Sequence, residues 1–254
     1  MKKTIQRIVF ISLGLAFMGL NGCKDDDGDD PQTAPVVPTS NFCYNFTNLA
    51  MPYDSIQGGT ILTTTNNDGF YEVDLGFSFN LCEQSFSTLF IQSDFLTTTF
   101  TYEINSQGTD LRKYYILAHG DLDFEQKFDN NTFEIVSKII TTTTGSTGNK
   151  VTTIEFREFE YDDFQGSEEY TVNYKIIFSE SDNSVSYHYG PNDLTVDFSQ
   201  DVFNQFAIGL YSTNELDGLF LKGNPLSPTT VFNGFNSELT TWPLENTFYK
   251  FIKK

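Results

Sequence analysis

The stretch "LAHGDLDF" sets His119 beside Asp121 and Asp123. One imidazole nitrogen and two carboxylates within five residues are a set of ligands that could hold a divalent cation. The same residues also make an ordinary polar turn between strands. The only other histidine, His188 in "SVSYHYG", shares a strand face with Ser184 and Ser186, opposite Tyr187 and Tyr189, and is expected to face solvent. A haem clamped between these two separated histidines is a further arrangement, with little in the neighbouring residues to favour it. The run "EFREFEYDD" supplies Glu155, Glu158, Glu160, Asp162 and Asp163. Glycoside hydrolysis needs two acids at a fixed separation with their pKa values driven apart. Among 34 acids, however, neighbours in sequence arise by chance. Trp242 and Tyr211 lie in turn-rich stretches near Pro243 and Asn214, where an aromatic ring can stack on a sugar or anchor a protein contact. GxSxG, HExxH, P-loop and GxGxxG patterns are all missing, and the acidic runs fail the EF-hand spacing. No catalysis and no obligatory cofactor are expected.

The elements that must position these residues read as strands. In "YTVNYKIIFSE", Tyr170, Val172, Tyr174, Ile176 and Phe178 alternate with polar neighbours, broken only by Ile177. A period of two marks a half-buried strand. "SVSYHYG" repeats it after the turn-rich "SESDNS", which suits a hairpin. Further strands are expected at 70–79, 86–96, 98–104, 113–118, 132–144, 151–161, 194–198, 206–211 and 246–252, the fifth and sixth joined by a Thr-rich hairpin with a Gly-containing loop. Strict alternation through 151–161 would put Glu158 and Glu160 on the face of Ile154 and Phe156, so that strand is expected to end or bulge there. Many short strands and no long amphipathic helix predict an all-β antiparallel β-sandwich, jelly-roll-like, over residues 41–254.

The N-terminal region is organised differently. "MKKTIQR" carries three positive charges, and Ile8–Leu20 is almost wholly apolar, the form of an export signal. "LNGC" at 20–23 resembles a lipobox, which implies cleavage after residue 22 and lipid modification of Cys23. Lys24, Asp25, Asp26 and Asp27 resemble the surface-export signal of Bacteroidota-type lipoproteins, implying a lipid-anchored location on the outer membrane, facing the exterior. Residues 23–40 also read as an acidic, Pro-rich tether, since like charges extend a chain; 17 residues after the cysteine reach at most about 55 Å. Removing residues 1–22 takes away Lys2, Lys3 and Arg7 and no acid, leaving 12 Lys+Arg against 34 Asp+Glu, a formal charge of −22. Nucleic acid and anionic lipid are poor partners for such a chain. With Cys23 lipidated, Cys43 and Cys82 remain, either as a disulfide or as two buried thiols. Asp54, Ser55 and Ile56 resemble a short bacterial O-glycosylation acceptor at Ser55, and read equally as a plain loop.

"LGFSFNLCEQSFSTLFIQSDFLTT" resembles the opening of the nidogen-like β-sandwich domains of secreted bacterial proteins, through Phe77, Phe79, Cys82, Phe86, Leu89, Ile91, Ser93 and Phe95. "ILAHGDLDF", the paired strands of 152–190 and "FAIGLYSTN" continue the likeness over roughly residues 70–215, although Glu83 stands at a usual glycine and Asp94-Phe95 replaces an Asn-Gly turn. This pattern is structural and implies no active site. The expectation is a surface lipoprotein whose domain captures or adheres to a glycan or protein. The alternatives are an accessory subunit of an outer-membrane complex and a small glycoside-active enzyme.

Overall fold

In the computed structural model, the described residues are 42–62, 70–92, 114–117, 124–127, 129, 131–132, 135–162, 169–198, 207–212, 218–232 and 239–254. The strands are β1 (Tyr44–Ala50), β2 (Thr60–Ile61), β3 (Phe70–Leu81), β4 (Gln84–Gln92), β5 (Tyr114–Leu117), β6 (Phe124–Gln126) and β7 (Lys138–Thr144). They continue as β8 (Val151–Asp162), β9 (Glu169–Ser179), β10 (Val185–Tyr189), β11 (Gly209–Ser212), β12 (Gly218–Lys222), β13 (Thr229–Val231) and β14 (Thr247–Lys253). One sheet runs β1-β14-β10-β9-β8-β7-β2, with β6 also on β8; a second runs β13-β12-β11-β5; β3 and β4 form a hairpin. Every ladder is antiparallel, so the fold is an all-β antiparallel sandwich.

The period-two residues make the core. Val172, Tyr174, Ile176 and Phe178 of β9 stand beside Val185, Tyr187 and Tyr189 of β10 and beside Ile154, Phe156 and Phe159 of β8, all buried. Against this inner face the β3–β4 hairpin sets Phe79, whose ring meets that of Phe178 edge-on at 5.2 Å. Thr152 donates its hydroxyl to the Leu75 carbonyl at 2.6 Å, tying hairpin to sheet. On the same face, Tyr187 donates to the Gly209 carbonyl and Tyr249 to that of Pro225. These aromatics bury area and still find acceptors for their hydroxyls.

The expected break in β8 is a bulge. Register shifts between Phe156 and Phe159, and Glu158 takes a positive φ of 54°. The extra residue turns Glu160 onto the face opposite Phe159 and Tyr161. Residues 194–198 are not a strand: only an isolated bridge, Asp197 to Thr241, forms there. The strand expected at 98–104 lies outside the described residues. Sequence periodicity misses β1, β2, β6, β12 and β13, which are short or interrupted by polar residues.

Cys43 and Cys82 form a disulfide, with Cα atoms 5.5 Å apart. It joins the residue before β1 to the tight β3–β4 turn, where Cys82 adopts φ 53°. Around it, Tyr44 donates to the Asn183 carbonyl at 2.7 Å, and the Asn80 N–H donates to the Asn183 side chain at 2.9 Å. The beginning of the domain is thus tied to two other turns.

Candidate functional site

The outer face of the large sheet carries the densest set of ionisable groups described. In register, Glu155 of β8 stands opposite Lys175 of β9, and Lys175 stands opposite His188 of β10. Alternation puts all three on the face away from the core, where an uncovered sheet would be wet. Residues 51–59 instead cross this face as a strap between β1 and β2. Glu155 is consequently fully buried. Its carboxylate accepts from the Tyr53 hydroxyl at 2.9 Å, the Ile56 N–H at 3.0 Å and the Arg157 guanidinium at 2.6 Å. Arg157 donates onward to the Ile56 carbonyl at 2.9 Å. Lys175 donates to the Asp54 carbonyl and sits 4.2 Å from the centre of the Tyr53 ring, a cation–π contact.

His188 is a correction to the sequence reading. It lies on the Ser184/Ser186 face as expected, but is only 4% exposed. The strap covers it: Nε2–H donates to the Met51 carbonyl at 3.0 Å, and the Tyr53 and Phe248 rings approach edge-on at 5.0 and 5.3 Å. Burial lowers the His188 pKa, opposed by the bond to Met51 and reinforced by Lys175. Burial likewise lowers that of Lys175, while Glu155 and Asp54 pull it back. The Tyr53 hydroxyl is pushed far up by burial and then by Glu155, so it stays a donor at any ordinary pH. Gly190 completes the arrangement, because a Cβ there would fall 2.6 Å from the Tyr53 ring.

This geometry holds a strap; it does not present a reactive pair. Both Glu155 oxygens are engaged. Glu160, returned to the outer face by the bulge, is 3.2 Å from Lys127. Asp163 lies outside the described residues, as does the Asp162 side chain. The sequence reading singled out Glu155 but missed Tyr53, Arg157 and Lys175. One signal was present: in a chain so poor in cations, Arg157 and Lys175 both sit inside strands, between Phe156 and Glu158 and between Tyr174 and Ile176.

The other expected residues fall as follows. Trp242 is not a surface ring: it is 2% exposed, with Tyr174 and Tyr189 packed against it edge-on at 6.0 and 5.3 Å. The reading from neighbouring Pro243 failed because residues 239–243 run across the core side of the sheet. Tyr211 in β11 is half-buried, its ring tilted 5.4 Å from that of Phe220. Ser55 is half-buried within the strap. His119, Asp121 and Asp123 lie outside the described residues, as do Cys23, Lys24, Asp25, Asp26 and Asp27. Among the described residues, no group of three His, Cys, Asp or Glu comes together to hold a metal ion.

A family model described as NIDO related matches residues 43–253. The chain belongs to this NIDO-related family. The match runs from Cys43 into the last strand, so the NIDO-related region is wider than the 70–215 stretch legible in the motifs. Of those motif residues, Phe77, Phe79, Phe86, Leu89 and Ile91 are buried on the core side of the β3–β4 hairpin, whereas Ser93 and Phe95 lie outside the described residues. Comparison with curated proteins and with solved structures returns no match.

Proposed function

We propose that this chain is an outer-membrane lipoprotein, anchored through Cys23 and facing the exterior, whose NIDO-related sandwich is a non-catalytic capture or adhesion module for a glycan or protein. The observation that carries the non-catalytic part is the commitment of Glu155. A general acid or nucleophile needs an oxygen free to meet substrate, and here every donor around it serves the strap. The acidic surface, with 12 cations against 34 acids after the signal, favours neutral glycans or proteins over polyanions. Tyr211 remains the candidate aromatic contact, since Trp242 is occupied by the core. Divalent cation binding at His119, Asp121 and Asp123 stays a separate, optional property.

The test is binding of the full chain in detergent to arrays of polysaccharides and glycans, with released sugar assayed in the same wells. Retention without product is the expected result, with Tyr211→Ala weakening it several-fold. Sugar release that survives mock-purified controls would overturn the non-catalytic reading.

A further inference from the structure

The strap is held to the sheet through side chains more than through its own backbone ladder. The Met51, Asp54 and Ile56 carbonyls accept, in turn, from His188 of β10, Lys175 of β9 and Arg157 of β8. Glu155 takes the Ile56 N–H, and the Asn246 side-chain oxygen takes the Tyr53 N–H at 2.7 Å. Little apolar surface backs these bonds. Met51, Pro52, Asp54 and residues 57–59 are exposed, and Tyr53, Ser55 and Ile56 are half-buried. A segment with few buried apolar contacts opens for much less than the free energy of global unfolding. On either side of it, β1 and β2 keep their own ladders with β14 and β7, so the strap can leave the outer face without disturbing the core face.

The charges at this face cancel while His188 is neutral: Arg157 and Lys175 stand against Glu155 and Asp54. His188 meets Lys175 from β9, Tyr53 and Asp54 from the strap, and Phe248 from β14. Glu155 lies beyond Lys175 on β8, and Lys250, next on that side of β14, is paired with Asp182. With Nε2–H given to Met51, a second proton goes onto Nδ1 and sets a new cation beside Lys175 in a space the strap shuts from water. Asp54 attracts that cation, yet it acts on His188 less than burial and Lys175 do. Two neighbouring cations out of water repel strongly, and hydration relieves both.

We propose that His188 is the trigger of an acid-operated latch: protonation of its imidazole releases residues 51–59 from the outer sheet face while the sheets themselves stay folded. In the closed state burial and Lys175 hold the imidazole neutral; in the open state water reaches it and returns it to the ordinary 6.5. The open strap therefore binds a proton that the closed strap refuses, and opening is favoured as pH falls below 6.5. Above that pH the latch is closed. Its release uncovers Arg157, Lys175 and His188 together, a basic face on a chain of net charge −19. The bistable element is the strap, and the charge that biases it is a single proton.

The experiment is hydrogen exchange of the full chain in detergent between about pH 8 and 5, a window above the usual carboxylate range, with the intrinsic pH dependence of exchange divided out. Protection of the Tyr53 and Ile56 amides is expected to fall below pH 6.5 by up to about tenfold per pH unit. Protection of Val172, Tyr174 and Ile176 in β9 is expected to hold over the same range. His188→Gln, which keeps a donor for Met51 but cannot titrate, is expected to level the strap's profile. The wild type also decides without that variant. NMR of the histidine rings, with His119→Gln to tell the two signals apart, gives the His188 titration directly, and the loss of strap protection is expected to stop where that titration ends. Strap protection that stays level through the His188 titration, a wild-type slope in H188Q, or an equal loss in β9 overturns the proposal.

Discussion

A carboxylate removed from water has to be answered by donors, and Glu155 is answered by Tyr53, Ile56 and Arg157. Glu155→Ala leaves Arg157 without its carboxylate partner, holding only the Ile56 carbonyl, and the Tyr53 hydroxyl without its acceptor. It should cost about 3 kcal/mol or more in urea unfolding, while Tyr53→Phe, which removes one donor, should cost about 1–2 kcal/mol. His188 gives this face a pH dependence of definite sign. Burial lowers its folded pKa below the ordinary 6.5, so the unfolded chain binds a proton that the folded chain refuses. The stability it contributes is complete above pH 6.5 and is lost as pH falls through the folded value. His188→Gln should flatten the melting-temperature profile below about pH 6.5, with wild type and variant converging toward the acid side. Asp182 acts lower still: partial burial would raise its pKa, but hydrogen bonds from Lys250 and Ser184 hold it down at about 2. Its contribution is present above the usual carboxylate range and disappears only in strong acid. Trp242→Ala removes a ring packed edge-on against both Tyr174 and Tyr189 and should destabilise by about 3–5 kcal/mol while leaving ligand retention by the folded fraction intact.

At the scale of elements, the strap is the feature on which the outer sheet face depends. Gly190→Ala would drive a methyl group into the Tyr53 ring, which its bond to Glu155 keeps from swinging away. The expected outcome is release of the strap, read as proteolytic nicking within residues 51–59 of a chain whose core remains folded. The disulfide works on another element: replacing Cys43 and Cys82 by serine opens a link across 39 residues, which on the chain-entropy account costs about 4 kcal/mol. Legibility divides along the same line. The long strands β8 to β10, the hairpin β7–β8 and the break at Glu158 were readable, because alternation and its failure are local signals. The strap's effect was not, because what hides His188 is Met51, 137 residues away in sequence. Trp242 was misread for the same reason: a nearby proline describes the backbone, whereas burial is decided by Tyr174 and Tyr189. β1 escaped notice since Asn45, Thr47 and Asn48 interrupt any apolar rhythm, as suits an edge.

For the whole molecule, a sandwich with an aromatic core supports an unusually acidic exterior. Mutual repulsion of that charge opposes close approach of copies to one another. Residues 24–40 would hold the domain off the membrane so that its loops are accessible to large ligands. The central claim is a domain held at the cell surface that retains a ligand without transforming it. The most direct measurement is adsorption of labelled polysaccharides and proteins to intact cells producing the wild type or Cys23→Ala, with the supernatant assayed for cleavage products. The account predicts adsorption by wild-type cells, its loss with Cys23→Ala, and label recovered at its original size. Equal adsorption by the two strains, or label recovered as fragments only when the wild-type chain is present, would contradict it.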